Sequence, residues 1–127
     1  MELHAGQCWT YRTPDGYESS RLIIGAIVTF EHDRSIVCCA ATDAPRRYKD
    51  GHIDPVLIPF LPMTEEAFRA SVTGFEGMAE LPTPFAEKLE EWSRDPRGLS
   101  TFTVAFEGFL DRMIAMQMAE IAGLSAA

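Results

Sequence analysis

The sequence predicts an α+β fold in one domain, residues 1–127, built on a partly open, mostly antiparallel β-barrel of about five strands with two or three flanking helices. Three observations support this prediction. Short alternating or apolar segments separated by turn residues fill the first half, as is typical of antiparallel strands. Prolines recur near the middle, where they exclude a central strand. Helix-start signals with helical apolar spacing lie in the second half.

The barrel strands are expected within about 7–61 and 99–104. Residues 7–13 alternate between two faces and end at a Pro-Asp-Gly turn. Residues 20–30 are apolar on both faces, as expected of a central strand. Gly25 interrupts this run and predicts a bulge or bend, since glycine inside a strand usually marks one. A third strand is expected over 35–41.

The next segment is a predicted polar loop, 42–52, followed by a proline-bearing stretch. Pro55, Pro59 and Pro62 each lack a backbone donor. A central strand cannot accommodate three such positions, so this stretch is expected to be an edge strand or an extended wrap over the core.

Two short helices are expected next, over about 65–73 and 84–94. Thr64 and Thr83 are the predicted N-caps, and a proline occupies the first position of the second helix. Gly74 is the predicted stop of the first helix. The second helix carries an apolar stripe formed by Phe85, Leu89 and Trp92.

A longer helix is expected over about 105–122, with an apolar stripe wider than a helix needs to cover a core. An exposed stripe of this kind predicts a homodimer, with Met113, Met116 and Gln117 near its contact. The alternative is that the stripe covers the barrel of its own chain.

Composition and charge restrict the function. An apolar fraction of 46%, no long apolar run and no signal-like start predict a cytoplasmic protein without membrane spans. The net charge is −8, and residues 51–127 carry five Lys/Arg against twelve Asp/Glu. Nucleic-acid binding needs a basic surface and is therefore disfavoured. Cys8, Cys38 and Cys39 lack metal-ligand spacing and are expected to be buried reduced thiols, so neither metal nor cofactor is predicted.

The opening carries the clearest local pattern, GQxWxYRT followed by ESxRLxI. It resembles small bacterial proteins with an SH3-like barrel core and is distantly similar to the PemK/MazF toxin family. The toxin resemblance implies RNA cleavage, with Arg21 as the matching catalytic position. The chain departs from the toxin pattern because Leu22 follows this arginine where the family has proline. The segment SIVCCAA also offers no matching Ser/Thr partner.

Three candidate binding features remain, each with a structural alternative. Trp9 and Tyr11 form either a stacking platform or part of the core. Arg21 either binds an anion through its fork or pairs with a nearby acid such as Glu18. The basic loop residues dock an acidic surface or are merely solvated; they are Arg46, Arg47 and Lys49.

The function predicted from these residues is a non-enzymatic binding or regulatory module that self-associates and can take a protein partner. Two alternatives stay open. One is a toxin-like ribonuclease that uses Arg21, and the other is an enzyme with a small-molecule pocket between barrel and helices.

Overall fold

The computed structural model describes residues 2–13, 15–30, 34–47, 50–94 and 101, with backbone alone at residues 30, 34, 46, 47 and 53. These residues form an α+β fold, as predicted. The predicted strand 99–104, apart from Thr101, and the predicted helix 105–122 lie outside the described residues. The elements, in chain order, are β1 Gln7–Tyr11, β2 Arg21–Phe30, β3 Arg34–Arg47, β4 Ile53–Thr64, α1 Glu65–Ser71, β5 Val72–Met78 and α2 Pro84–Ser93.

All strand pairs are antiparallel, and the sheet order is β4-β3-β2-β1-β5. The first four strands form a meander, and β5 joins the far edge beside β1. The sheet is not closed between β4 and β5, so it is an open sheet with a barrel-like order.

The connection between the two edge strands requires a strong curl. Helix α1 directly joins β4 to β5 and has seven residues. Such a helix spans about 10 Å, whereas the edges of a flat five-stranded sheet lie about 19 Å apart. The sheet must therefore bend towards α1.

The two helices bury aromatic side chains against the sheet. Phe68 of α1 meets Trp9 of β1 edge-on, with ring centroids 6.2 Å apart. Phe85 and Trp92 of α2 both pack on Phe60 of β4, each at 5.6 Å. The predicted buried stripe of α2 is confirmed for Phe85 and Trp92, while Leu89 is partly buried beside the core.

Strand β3 is covered on both faces, because Val37, Cys38, Cys39, Ala40 and Ala41 are consecutive and all fully buried. The prediction of a polar loop over 42–52 is wrong in its first half, since β3 continues to Arg47. The register shifts between Ala41 and Ala44, where Asp43 has a φ of +50°. Aspartate tolerates this left-handed backbone conformation. Thr42 and Asp43 therefore form a bulge within β3 and do not end the strand.

The proline-bearing stretch is an edge strand, as expected. β4 pairs with β3 on one side and is the last strand in the sheet order. Pro55, Pro59 and Pro62 are compatible with this position, because an edge strand leaves part of its backbone without ladder partners.

The local helix signals are confirmed in part. The Thr64 side chain accepts a hydrogen bond from the Ala67 N–H at 3.2 Å and so caps α1. The predicted stop at Gly74 is wrong, because α1 ends at Ser71 and Val72–Met78 forms a strand. α2 begins at Pro84 as predicted, but the Thr83 side chain makes no capping hydrogen bond. No helix in the described residues is long and apolar enough to cross a membrane.

Gly25 lies at a bulge in β2 and in close contact with α2. The predicted bulge is confirmed by a register shift between Ile24 and Ala26. A methyl group added at Gly25 would overlap the ring of Phe85. The bare backbone here therefore lets α2 lie directly on β2.

We expect Gly25→Ala to lower the free energy of unfolding by about 1–3 kcal/mol, because it overpacks the contact with Phe85. The measurement is urea unfolding followed by tryptophan fluorescence. The control is the same substitution in a Phe85→Ala background, where the additional loss should largely disappear. Equal losses in both backgrounds would contradict the packing explanation.

Candidate functional site

The candidate site is built around Arg21, the first residue of β2. Glu76 lies in β5, and β1 separates the two strands in the sheet. On β1, Trp9 pairs with Leu22 on one side and with Phe75 on the other. Arg21 precedes Leu22 and Glu76 follows Phe75 in the chain. The side chains of Arg21 and Glu76 therefore lie on the same face of the sheet and meet across β1.

The guanidinium of Arg21 makes four hydrogen bonds within the protein. Its Nε and Nη2 donate to the two carboxylate oxygens of Glu76, with 3.2 Å between Nη2 and Oε1. Its Nη1 donates to the carbonyl oxygen of Ser20 at 2.8 Å and to that of Glu18. The hydrogen bond with Glu76 raises the pKa of Arg21 further above its ordinary value. All three nitrogens therefore have protein acceptors.

Arg21 and Glu76 form a partly buried, bidentate ion pair, which is a geometry typical of structural contacts. The Arg21 side chain is 24% exposed and that of Glu76 is 46% exposed. A bidentate fork of this kind fixes orientation as well as charge. We define these two residues as the Arg21–Glu76 clamp, which ties β5 to the start of β2 over the intervening strand.

The sequence identified the right type of contact but the wrong acid. The carboxylate of Glu18 accepts a hydrogen bond from the Gly16 N–H at 3.1 Å, which lowers the pKa of Glu18. Only the backbone carbonyl of Glu18 contacts Arg21. Glu76 is 55 positions away from Arg21, and only the pairing of β5 with β1 brings it near. A local sequence pattern could not have identified it.

Trp9 and Tyr11 lie in the core. The Trp9 indole N–H donates to Gln7 Oε1 at 3.3 Å, and its ring contacts Phe75 at 5.4 Å between centroids. The Tyr11 hydroxyl lies 2.6 Å from Ser20 Oγ, and burial raises the pKa of Tyr11. Buried rings offer no free face for stacking, so the packing matches the core interpretation. Their predicted binding role stays without structural support.

The predicted basic loop is partly a strand. Arg46 and Arg47 belong to the end of β3, where their backbones pair with Asp54 and Ile53 of β4. Lys49 lies outside the described residues, as do the side chains of both arginines, so their docking role stays a prediction.

The β3–β4 turn holds a small polar cluster. The backbone N–H of His52 donates to Asp50 Oδ1 at 3.0 Å, which lowers the pKa of Asp50. The His52 ring lies between the carboxylates of Asp50 and Asp54, with 3.3 Å from Nε2 to Asp54 Oδ2. Within the described residues, no group of three or more His, Cys, Asp or Glu could hold a metal ion.

The three cysteines differ in their environment. Cys38 and Cys39 are buried, as expected, but Cys8 is only half-buried, which corrects the prediction for that residue. The Cys39 thiol donates to the Leu61 carbonyl oxygen at 3.3 Å. Burial raises the pKa of Cys38 to about 12 and that of Cys39 further still.

Strand β5 presents an apolar surface that sequence reasoning missed. Phe75 is 43% exposed and Met78 is 68% exposed. We call these two residues the β5 patch. The only comparable exposed side chain among the described residues is Leu57 on β4, at 48%. The strand was not predicted, so its exposed side could not be assigned from the sequence.

We expect the Arg21–Glu76 clamp to contribute a coupling free energy of about 1 kcal/mol in a double-mutant cycle of Arg21→Ala and Glu76→Ala. The exposed Glu65–Arg69 pair on α1 is the matched control and should give about 0.3–0.5 kcal/mol. Unfolding in urea measures both. A clamp coupling no larger than the control would show that the fork adds nothing to stability.

For the thiols, we expect one fast reaction with Ellman's reagent in the folded protein and two more after unfolding, because only the thiolate reacts. The rate for Cys8 should keep rising with pH beyond the range of an ordinary thiol, since burial raises its pKa. The Cys8→Ser variant should lack the fast reaction. Fast reaction of two thiols in native wild-type protein would contradict this assignment.

Comparison with known proteins finds a local similarity to an enzyme. No family model matches the chain, and no solved structure matches it. The chain is similar to part of the gamma-glutamyl phosphate reductase of Geobacillus sp. (strain WCH70), with 39% identity over 56 residues. The match covers 44% of this chain and 13% of that enzyme. It shows a local similarity and establishes no family.

Proposed function

We propose that the chain is a non-enzymatic binding or regulatory module on an SH3-like barrel, and that it self-associates. The observation that carries the proposal is the state of Arg21, the one catalytic candidate in the sequence. Its fork is held by Glu76 and by two carbonyl oxygens. Arg21 thus connects β2 to β5, and this supports a structural role for the residue over a catalytic one.

The SH3-like assignment is supported by strand order and by the short α1. In the described residues, a four-stranded antiparallel meander is followed by a two-turn helix and by a fifth strand that pairs with the first. This arrangement gives a small, strongly curled sheet. The bulge at Gly25 supports the same assignment, because bulges bend strands where a barrel turns.

The toxin-like ribonuclease is the less supported alternative. Its chemistry needs the guanidinium of Arg21 to contact a phosphate, and in this chain Glu76 occupies that fork. A net charge of −8 also opposes the approach of RNA.

An enzyme with a small-molecule pocket is the other alternative. The similarity to a reductase spans 13% of that protein, which is too little to transfer its reaction to this chain.

Self-association is proposed through residues 105–122, which lie outside the described residues. Their sequence carries apolar residues over an arc of roughly 160°, wider than the stripe of about 100° that covers a core. A two-fold homodimer is the commonest way to bury such a surplus. Gln117 near the middle of the stripe would then fix the register of two paired segments. The proposed location of the module is the cytoplasm.

We expect the wild-type chain to run as a homodimer in light scattering at micromolar concentration. Met113→Glu combined with Met116→Glu should give a folded monomer, because two charges would enter the apolar contact. The matched control is Gly108→Glu, which adds negative charge directly opposite Gln117 on a helical wheel and should leave the dimer intact.

Two outcomes would contradict this proposal. A monomeric wild type would exclude self-association. Loss of the native circular dichroism spectrum in the double variant would place both methionines in the core of their own chain.

A further inference from the structure

The two edges of the sheet differ in how they are protected against other chains. β4 carries Pro55, Pro59 and Pro62, and prolines on an edge strand block further pairing. β5 contains no proline and no lysine. Among the described strands it pairs only with β1. Of the two edges, β5 is therefore the one open to an added strand.

The only charge on β5 is already neutralised. Glu76 forms the clamp with Arg21, so its charge is compensated within the chain. The β5 patch, Phe75 and Met78, remains exposed on the same strand. An edge that combines exposed apolar side chains with a neutralised charge lacks the usual defences against pairing.

Acidic groups border the β5 patch. Glu80 is exposed and lies two residues beyond Met78. Glu2 is held nearby, because its carbonyl oxygen accepts a hydrogen bond from the side chain of Gln7 at 3.1 Å and Gln7 pairs with Met78. The Glu2 side chain is 89% exposed, and its carboxylate lies 3.4 Å from Nε2 of the exposed His4. The surroundings of the patch are therefore negative, and the nearby cation Arg21 is already paired.

We propose that the outer edge of β5 binds an extended peptide segment of a partner protein that carries alternating apolar and basic side chains. This inference rests on the proposed function as a binding module. The segment adds to the sheet as a further strand, so that main-chain hydrogen bonds supply affinity. Its apolar side chains cover Phe75 and Met78, and its basic side chains meet Glu80 and Glu2.

Charge favours this partner over a second copy of the chain. Two copies meeting edge to edge would bring the same acidic borders, Glu80 and Glu2, together. Like charges across a contact oppose association. A basic segment is attracted by the same acidic groups.

The first experiment uses the full chain and a labelled synthetic peptide, (Lys-Val)5, of about ten residues, long enough to cover a strand. Fluorescence anisotropy should show binding that weakens as salt is raised, because part of it is electrostatic. Two control peptides separate the contributions. (Lys-Ser)5 has the same charge without apolar side chains, and (Glu-Val)5 has the opposite charge; both should bind at least about tenfold more weakly.

The second experiment places the peptide on the protein. Met78→Lys should weaken binding of (Lys-Val)5 by about tenfold or more, because it removes an apolar contact and adds repulsion. Leu57→Lys makes the same change on the proline-bearing edge and should leave binding unaltered. Both side chains are largely exposed, so both variants should keep the native circular dichroism spectrum. Amide hydrogen exchange should show new protection in Val72–Met78 when the peptide is bound.

Four results would overturn the proposal. They are equal binding of (Lys-Val)5 and (Lys-Ser)5, equal effects of the two lysine variants, protection confined to β4, and strong protection of β5 without peptide. If that last protection rises with protein concentration, a second copy occupies the edge; if it does not, the chain covers the edge itself. Light scattering on Met113 and Met116 variants tests self-association separately, so failure of one proposal does not imply failure of the other.

Discussion

The length of α1 is the constraint on which the rest of the structure depends. A helix of seven residues joins the two edge strands, and a flat five-stranded sheet would hold those edges about twice as far apart as it can reach. The sheet therefore curls. The curl brings Phe68 onto Trp9 and places β5 beside β1. If the sheet were flat, Glu76 would not lie near Arg21.

The placement of β5 also decides how the opening hairpin is interpreted. Its aromatic side chains lie in the core, where α1 and β5 cover them. Its arginine faces the other way and meets Glu76. A motif that suggested an active site is thus explained by the pairing of β5 with β1. The exposed side chains of Phe75 and Met78 lie on this same strand.

The sequence was sufficient to predict those structural features that depend on a few neighbouring residues. The bulge at Gly25, the proline-bearing edge and the Thr64 cap each follow from one or a few neighbouring residues, and all are confirmed. The failures share a different cause. Val72–Met78 holds two glycines and becomes a strand through pairing with a segment more than sixty positions earlier. The continuation of β3 past Asp43 likewise depends on a partner, β4.

The ribonuclease interpretation and the structural role of Arg21 require the same guanidinium atoms. For Arg21 to bind a phosphate through its fork, it would have to release the carboxylate of Glu76. That release would loosen β5, whose pairing with β1 is already interrupted by register shifts. It would also leave the carboxylate of Glu76 without its cationic partner. Anion binding by the Arg21 fork therefore competes with the anchoring of β5, and the structure holds the state in which the clamp is formed.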